Sequence, residues 1–174
     1  MKKIKIMLSI ALLLCVSYAI AQDSPVPPDY KLTKNEDYKT YEKDILNTID
    51  YLENTPVNTN RKQRMEAAKF LLEWTTGSPD VTIALSQSIL VFTDRNPDLQ
   101  TVFIAGWTRY AIQHPEDKSD VKGNVAGLKS VIKVYKMGNG MKDDDKVNKL
   151  VKVNDKGELE KWVKEQLSKD AIKK

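Results

Sequence analysis

The chain is almost without cysteine and histidine: Cys15 and His114 are the single representatives of their types in 174 residues. Cys15 falls inside an N-terminal segment that reads as removable, so the remaining chain carries no thiol. Disulfides, thiolate zinc sites and cysteine nucleophiles are excluded together. His114 has no second imidazole with which to share a metal ion, and its place directly before Pro115 fits a turn at a helix junction. The seven glycines form no phosphate-binding loop. No serine or threonine stands in a nucleophile-elbow pattern. An excess of one charge is missing too. Without Lys2, Lys3 and Lys5, 25 basic residues face 24 acidic ones, a balance of +1. Such a chain gives no reason to expect nucleic acid as a partner. No catalytic, cofactor-binding or metal-binding constellation is visible, and the expectation is that the protein is not an enzyme and holds no cofactor.

What is present begins with an export signal. Lys2, Lys3 and Lys5 precede an apolar stretch from Ile6 to Tyr18, and Ala19-Ile20-Ala21 supplies the small residues a signal peptidase requires. Residues 1–21 therefore read as a signal peptide cleaved before Gln22. The apolar run is shorter than the roughly 20 residues of a membrane-spanning helix, so no spanning segment is expected after cleavage. Leu14 before Cys15 argues against a lipid-modified N-terminus. The expected location is the periplasm or the medium. Residues 22–32 are polar, and Pro25, Pro27 and Pro28 make them an extended leader.

Helical periodicity dominates the chain from residue 33 onward. Tyr38, Tyr41, Ile45, Ile49 and Leu52 would line one face of a first helix, with Thr33 and Glu36 as a capping box. A second helix fits Arg61 to Thr75. Asn60 and Gln63 form its capping pair, Met65, Ala68, Phe70, Leu71 and Leu72 its apolar face, and Gly77 a left-handed end. Ser78-Pro79-Asp80, Asn96-Pro97-Asp98 and His114-Pro115-Glu116 then recur every 18 residues. Proline suits the first helical position and an acid the first turn. The spacing predicts helices over Pro79–Thr93 and Pro97–Gln113 as a buried antiparallel pair, with Leu85, Ile89, Phe92, Phe103 and Trp107 in the core.

A fifth helix is expected from Ser119 to Met137, with Val121, Val125, Leu128, Ile132 and Tyr135 as its stripe. Gly123 and Gly127, four apart, would let a neighbouring helix approach closely. Asp143-Asp144-Asp145 starts a short helix through Val151. Residues 150–160 fit either a hairpin or a helix capped by Asp155 and Glu158. The period through Leu159, Trp162, Val163 and Leu167 favours helix. The fold class is all-α: one domain of six to seven mostly antiparallel helices, bundle-like or repeat-like. A core over 33–140 would be followed by a charged helical segment, 141–174, packed on it.

Three further features have chemical readings. The acid triplet fails as a calcium loop, because a register with Gly157 sixth puts Lys152 and Lys156 at ligand positions. Trp74, Trp107 and Trp162, with five of the tyrosines, could line an aromatic groove, although most fall on core faces. From Lys146 to Lys174, nine lysines face five acids. Trp162, Lys156, Lys164 and Lys169 are therefore the candidate partner contact, toward anionic lipid or an acidic partner.

The run Phe70-Leu71-Leu72-Glu73-Trp74-Thr75-Thr76-Gly77-Ser78-Pro79-Asp80, with Gly106-Trp107 and the lysine-rich end, resembles small exported helical proteins of Bacteroidota-type bacteria. The resemblance implies localisation and fold and carries over no functional residue. The functional expectation is an exported binding or scaffold module, its partner another envelope or secreted protein. The alternatives are a hydrolase using carboxylates and an envelope-surface protein using the C-terminal lysines.

Overall fold

The computed structural model describes residues 24–172, so the export signal, the cleavage site at Gln22 and Lys173 lie outside the described residues. Among these residues there are seven helices and no strand: α1 (Asn35–Thr40), α2 (Glu42–Asn54), α3 (Arg61–Gly77), α4 (Asp98–Gln113), α5 (Asp120–Lys136), α6 (Asp145–Asp155) and α7 (Leu159–Ile172). They form a single all-α domain.

The expected first helix is two, broken at Tyr41. The break is slight, since Tyr41 N still donates to Asp37 O and Ile45 N to Tyr41 O. Its cap sits one residue later than the Thr33–Glu36 pair. The Asp37 carboxylate accepts from the backbone of Thr33 and Lys34 and from the Thr33 hydroxyl. Asn60 starts α3 from a left-handed conformation without a side-chain cap bond, and Gln63 instead accepts from the Tyr51 hydroxyl. Gly77 is helical rather than left-handed. A Cβ there would meet the outer end of the Tyr38 ring.

The largest departure is the segment 78–97. Pro79–Thr93 is not a helix but a series of turns and extended residues. Val81, Thr82 and Ile83 are β-branched and disfavour helix. Ser86 and Ser88 donate to the Asp170 carboxylate of α7, which anchors the segment across the molecule. Ile89 and Phe92 are buried as expected, whereas Leu85 is 47 % exposed. Of the three proline marks, only Asn96-Pro97-Asp98 begins a helix, and the 18-residue spacing is not a structural repeat. Asn96 uses its amide to clamp the backbone of Lys142, donating to its carbonyl at 3.0 Å and accepting from its N–H at 2.8 Å. His114-Pro115-Glu116 is a turn, and Ser119 caps α5 through the Lys122 N–H.

The buried antiparallel pair is therefore α4 with α5. Phe103 meets Gly127, Gly106 meets Ala126 and Ser130, and Trp107 meets Gly123, so the two helices run in opposite directions. At Gly106 a Cβ would lie 2.7 Å from the Ala126 carbonyl oxygen. Glycine here permits backbone contact, as the Gly123/Gly127 spacing suggested. Around this pair lies the first core. It joins Ile89 and Phe92 to Leu99, Phe103, Leu128, Val131, and to Val147, Leu150, Leu159 and Val163 from α6 and α7. A second core joins α2 and α3 through Ile45, Ile49, Leu52, Phe70, Leu71 and Trp74. The leader packs on it through Val26, Tyr30 and Leu32, held by the Thr48 hydroxyl on the Pro25 carbonyl at 2.8 Å.

Where the two cores meet, Glu53 is buried and ionically matched. Its carboxylate accepts from Ser130 Oγ at 2.6 Å and from Arg109 and Lys133, each at 3.2 Å. Residues 150–160 are helix, turn, helix: α6 ends at Asp155, Gly157 takes a positive φ of 73°, and α7 begins at Leu159. Asp155 does not cap α7 but pairs with Lys136 at 3.0 Å. Asp144 caps α6 through the Lys146 N–H.

Candidate functional site

The four residues expected to meet a partner lie on α7 and in the turn that precedes it. Trp162 is half-buried against the first core. Lys156 follows α6 in the turn. Lys164 pairs with Glu160 at 2.6 Å, and Lys169 donates to Gln166 at 3.3 Å. At 100° per residue, Lys164 lies nearly opposite Trp162 around α7, while Lys169 shares its side.

Aromatic residues line a hollow of about 370 Å³ beside Trp107 and Tyr110, rimmed by Asp80, Asp117, Lys118 and Asp120. Its central acid is fully engaged. Asp117 accepts from Lys122 Nζ at 2.6 Å, from Tyr110 Oη at 2.7 Å and from the Ser119 N–H at 3.0 Å. The Lys122 bond, then the Tyr110 bond, holds its carboxyl far below the usual range, which keeps it ionised and unsuited to proton donation. His114 stacks on Tyr110 with ring centroids 4.6 Å apart, in keeping with a turn residue. Among the described residues no group of three or more His, Cys, Asp or Glu could hold a metal ion, and no helix is long and apolar enough to cross a membrane.

A different site emerges at the seam of the two cores. The end of α2, the connection 55–60, the first turns of α3 and α4, and the loop at Gly140 enclose a cleft of about 330 Å³. Local chemistry shapes each wall. Pro56 starts a turn closed by Thr59 N on its carbonyl at 3.0 Å, and Asn60 turns left-handed at φ 45° to launch α3. Asparagine tolerates that region better than most residues. Gly140, at φ 86°, brings its loop onto Asn58, where a Cβ would stand 3.0 Å from the backbone nitrogen. Both the conformation and the contact require glycine there.

The cleft is amphipathic. Leu52, Val57, Met65 and Ala68 form one wall, and Arg61, Arg64, Asp98, Asn58 and Thr101 the other. Arg64 is only 7 % exposed. Its Nη1 donates to the Thr55 carbonyl at 2.9 Å. Burial pulls the guanidinium below its usual pKa, and the Asp98 charge pulls the other way. Arginine stays protonated regardless, so a cation is held inside the cleft wall.

Sequence pattern does not single these residues out, because an arginine on α3 reads as surface. The available signal is its register. Arg64, Ala67, Leu71 and Trp74 fall three or four apart and form the buried face of α3. Met65, expected on the apolar face, is instead 65 % exposed at the lip of the cleft. Comparison with protein families, with curated proteins and with solved structures finds no match for the chain.

Proposed function

We propose that the protein is an exported, non-enzymatic binding module whose binding site is the cleft lined by Arg61 and Arg64. The export part of the proposal rests on the basic, apolar and small-residue order of residues 1–21. One observation carries the binding part. A nearly buried cation, Arg64, shares the wall of a concave space with apolar side chains. Small-molecule sites have that character: a largely apolar concavity with a few placed polar groups.

The chemistry of the carboxylates supports binding over hydrolysis. A general acid needs a carboxyl held above its ordinary pKa. Among the described residues, the carboxyls that are displaced, Asp37, Asp117, Asp143 and Glu160, are all displaced downward. The surface-lysine reading is weakened by pairing, since Lys164 meets Glu160 and Lys146 meets Asp94.

The test is a fragment screen by two-dimensional NMR on the chain from Gln22 onward. Fragments should perturb Met65, Thr101 and Gly140 and remain chemically intact. Perturbations confined to other surfaces, or turnover of any fragment, would overturn the binding assignment. An intact N-terminus on protein recovered outside the cytoplasm would overturn the cleavage at Gln22.

A further inference from the structure

We infer that the cleft between α2, α3 and α4 selects small amphipathic monocarboxylates. This rests on the cleft being a binding site and adds the chemical class of its ligand. The charge count sets the sign. Arg61 and Arg64 face Asp98 inside the cleft, a local balance of +1, which one carboxylate neutralises. A phosphate monoester brings about two negative charges, and the second would be placed against Asp98. Cations and neutral molecules leave the remaining positive charge unanswered.

The arginines, not the end of α4, supply the positive potential. Leu99 N donates to Asn96 O and Gln100 N to Pro97 O, both at 3.0 Å, so these amides are already engaged. Arg61 precedes Arg64 by one turn and lies on the same side of α3. Among the described residues, Arg64 gives its hydrogen bond to Thr55 through Nη1, and a guanidinium carries five N–H groups in a planar fork. A carboxylate is the partner that such a fork takes two bonds at a time.

Volume and lining define the rest of the ligand. About 330 Å³ holds about ten non-hydrogen atoms if each takes roughly a water's share of space, about 30 Å³. Leu52, Val57 and Ala68 offer an apolar floor, and the exposed thioether of Met65 can fold over a hydrocarbon chain. The same chemistry is met in a free fatty acid of medium chain length and in an N-acylated apolar amino acid.

Calorimetric titration of the chain from Gln22 onward with octanoate, N-acetylleucine, octyl phosphate and octylamine tests the inference. Octanoate or N-acetylleucine should bind, and whichever binds tighter identifies the source. Octyl phosphate should bind more weakly and octylamine not detectably. Arg61→Gln, at an exposed position, should weaken carboxylate binding by about tenfold with an unchanged melting temperature. Asp98→Asn should raise the affinity for octyl phosphate more than that for octanoate. Equal binding of octylamine and octanoate, or an unchanged affinity in Arg61→Gln, overturns the inference. If fragments of other chemistry still occupy the cleft, the binding module stands and only the ligand class falls.

Discussion

The two cores are built by different means. The first closes helix on helix: Phe103 and Trp107 of α4 lie on Gly127 and Gly123 of α5, and Gly106 faces the Ala126 carbonyl. Backbone meets side chain there with no adjustable group between. The second core is rimmed by tyrosines and covered by a strap of chain. Tyr30 packs 4.5 Å from Phe70 and donates to Glu73 at 2.5 Å, while the Thr48 hydroxyl holds the leader at Pro25 and the Tyr38 hydroxyl holds it at Leu32. Close-packed interiors respond poorly to any change of volume. A core rimmed by side chains can shift, and its margins leave openings. The cleft opens at that margin, with Leu52 from the second core and Val57 from the edge of the first.

Truncation of the central rings should show the largest effect. Phe103→Ala and Phe70→Ala both remove a fully buried ring, for about 3–5 kcal/mol each. The Phe103 site should fall at the upper end, because the α5 backbone cannot close over the void. The Phe70 site should fall lower, because Tyr30 and Tyr41 can move in. Urea denaturation of both variants measures the difference, and the reverse order would break the comparison.

Glycine substitutions sharpen it at smaller scale. Gly127→Ala puts a methyl 2.8 Å from the Phe103 carbonyl oxygen, and overpacking of that kind costs about 1–3 kcal/mol. Gly77→Ala meets only the outer end of the Tyr38 ring. There the gain in helix propensity, about 1 kcal/mol, should offset the displaced ring. Thermal melts should therefore show Gly127→Ala clearly destabilised and Gly77→Ala close to the parent.

Thr48→Val tests the strap. Thr48 is fully buried, and losing its bond to the Pro25 carbonyl should cost about 1 kcal/mol. Limited proteolysis should then cut the leader before any site in α4 or α5. Simultaneous cleavage of both regions would show the strap to be part of the global unit.

The smallest effect is in alkaline solution. Burial, and then the hydrogen bond to Glu73, pushes the Tyr30 hydroxyl up to about 12, whereas an unfolded tyrosine titrates near 10. Between those values the unfolded chain loses a proton that the native chain keeps. The stabilisation from neutral Tyr30 is thus complete below about pH 10 and is lost as pH rises toward 12. Tyr51, Tyr110 and Tyr135 are raised as well, so Tyr30→Phe should reduce the alkaline slope of stability without removing it. An identical slope in Tyr30→Phe would remove the strap from the alkaline transition.

Local pattern was enough for the parts of the molecule that local physics governs. The three-and-four spacing of Ile45, Ile49 and Leu52, of Leu128 and Ile132, and of Leu159 and Val163 marked helices that bury those residues. A helix meets its own neighbours within one turn, so its face is written in consecutive residues. The glycines of α5 were legible for the same reason, since their spacing places both on one side. Tertiary contacts decided the rest. Pro79-to-Thr93 opens like a helix start, but its β-branched run disfavours helix, and Ser86 and Ser88 find their acceptor on Asp170 of α7, a partner no short window contains. Asn96 has the look of a cap and is a clamp on Lys142. The candidate site belongs to this second class. Its arginines come from α3, its counter-charge from α4 and part of its wall from the loop at Gly140, and only the closure of two cores against each other brings them around one space.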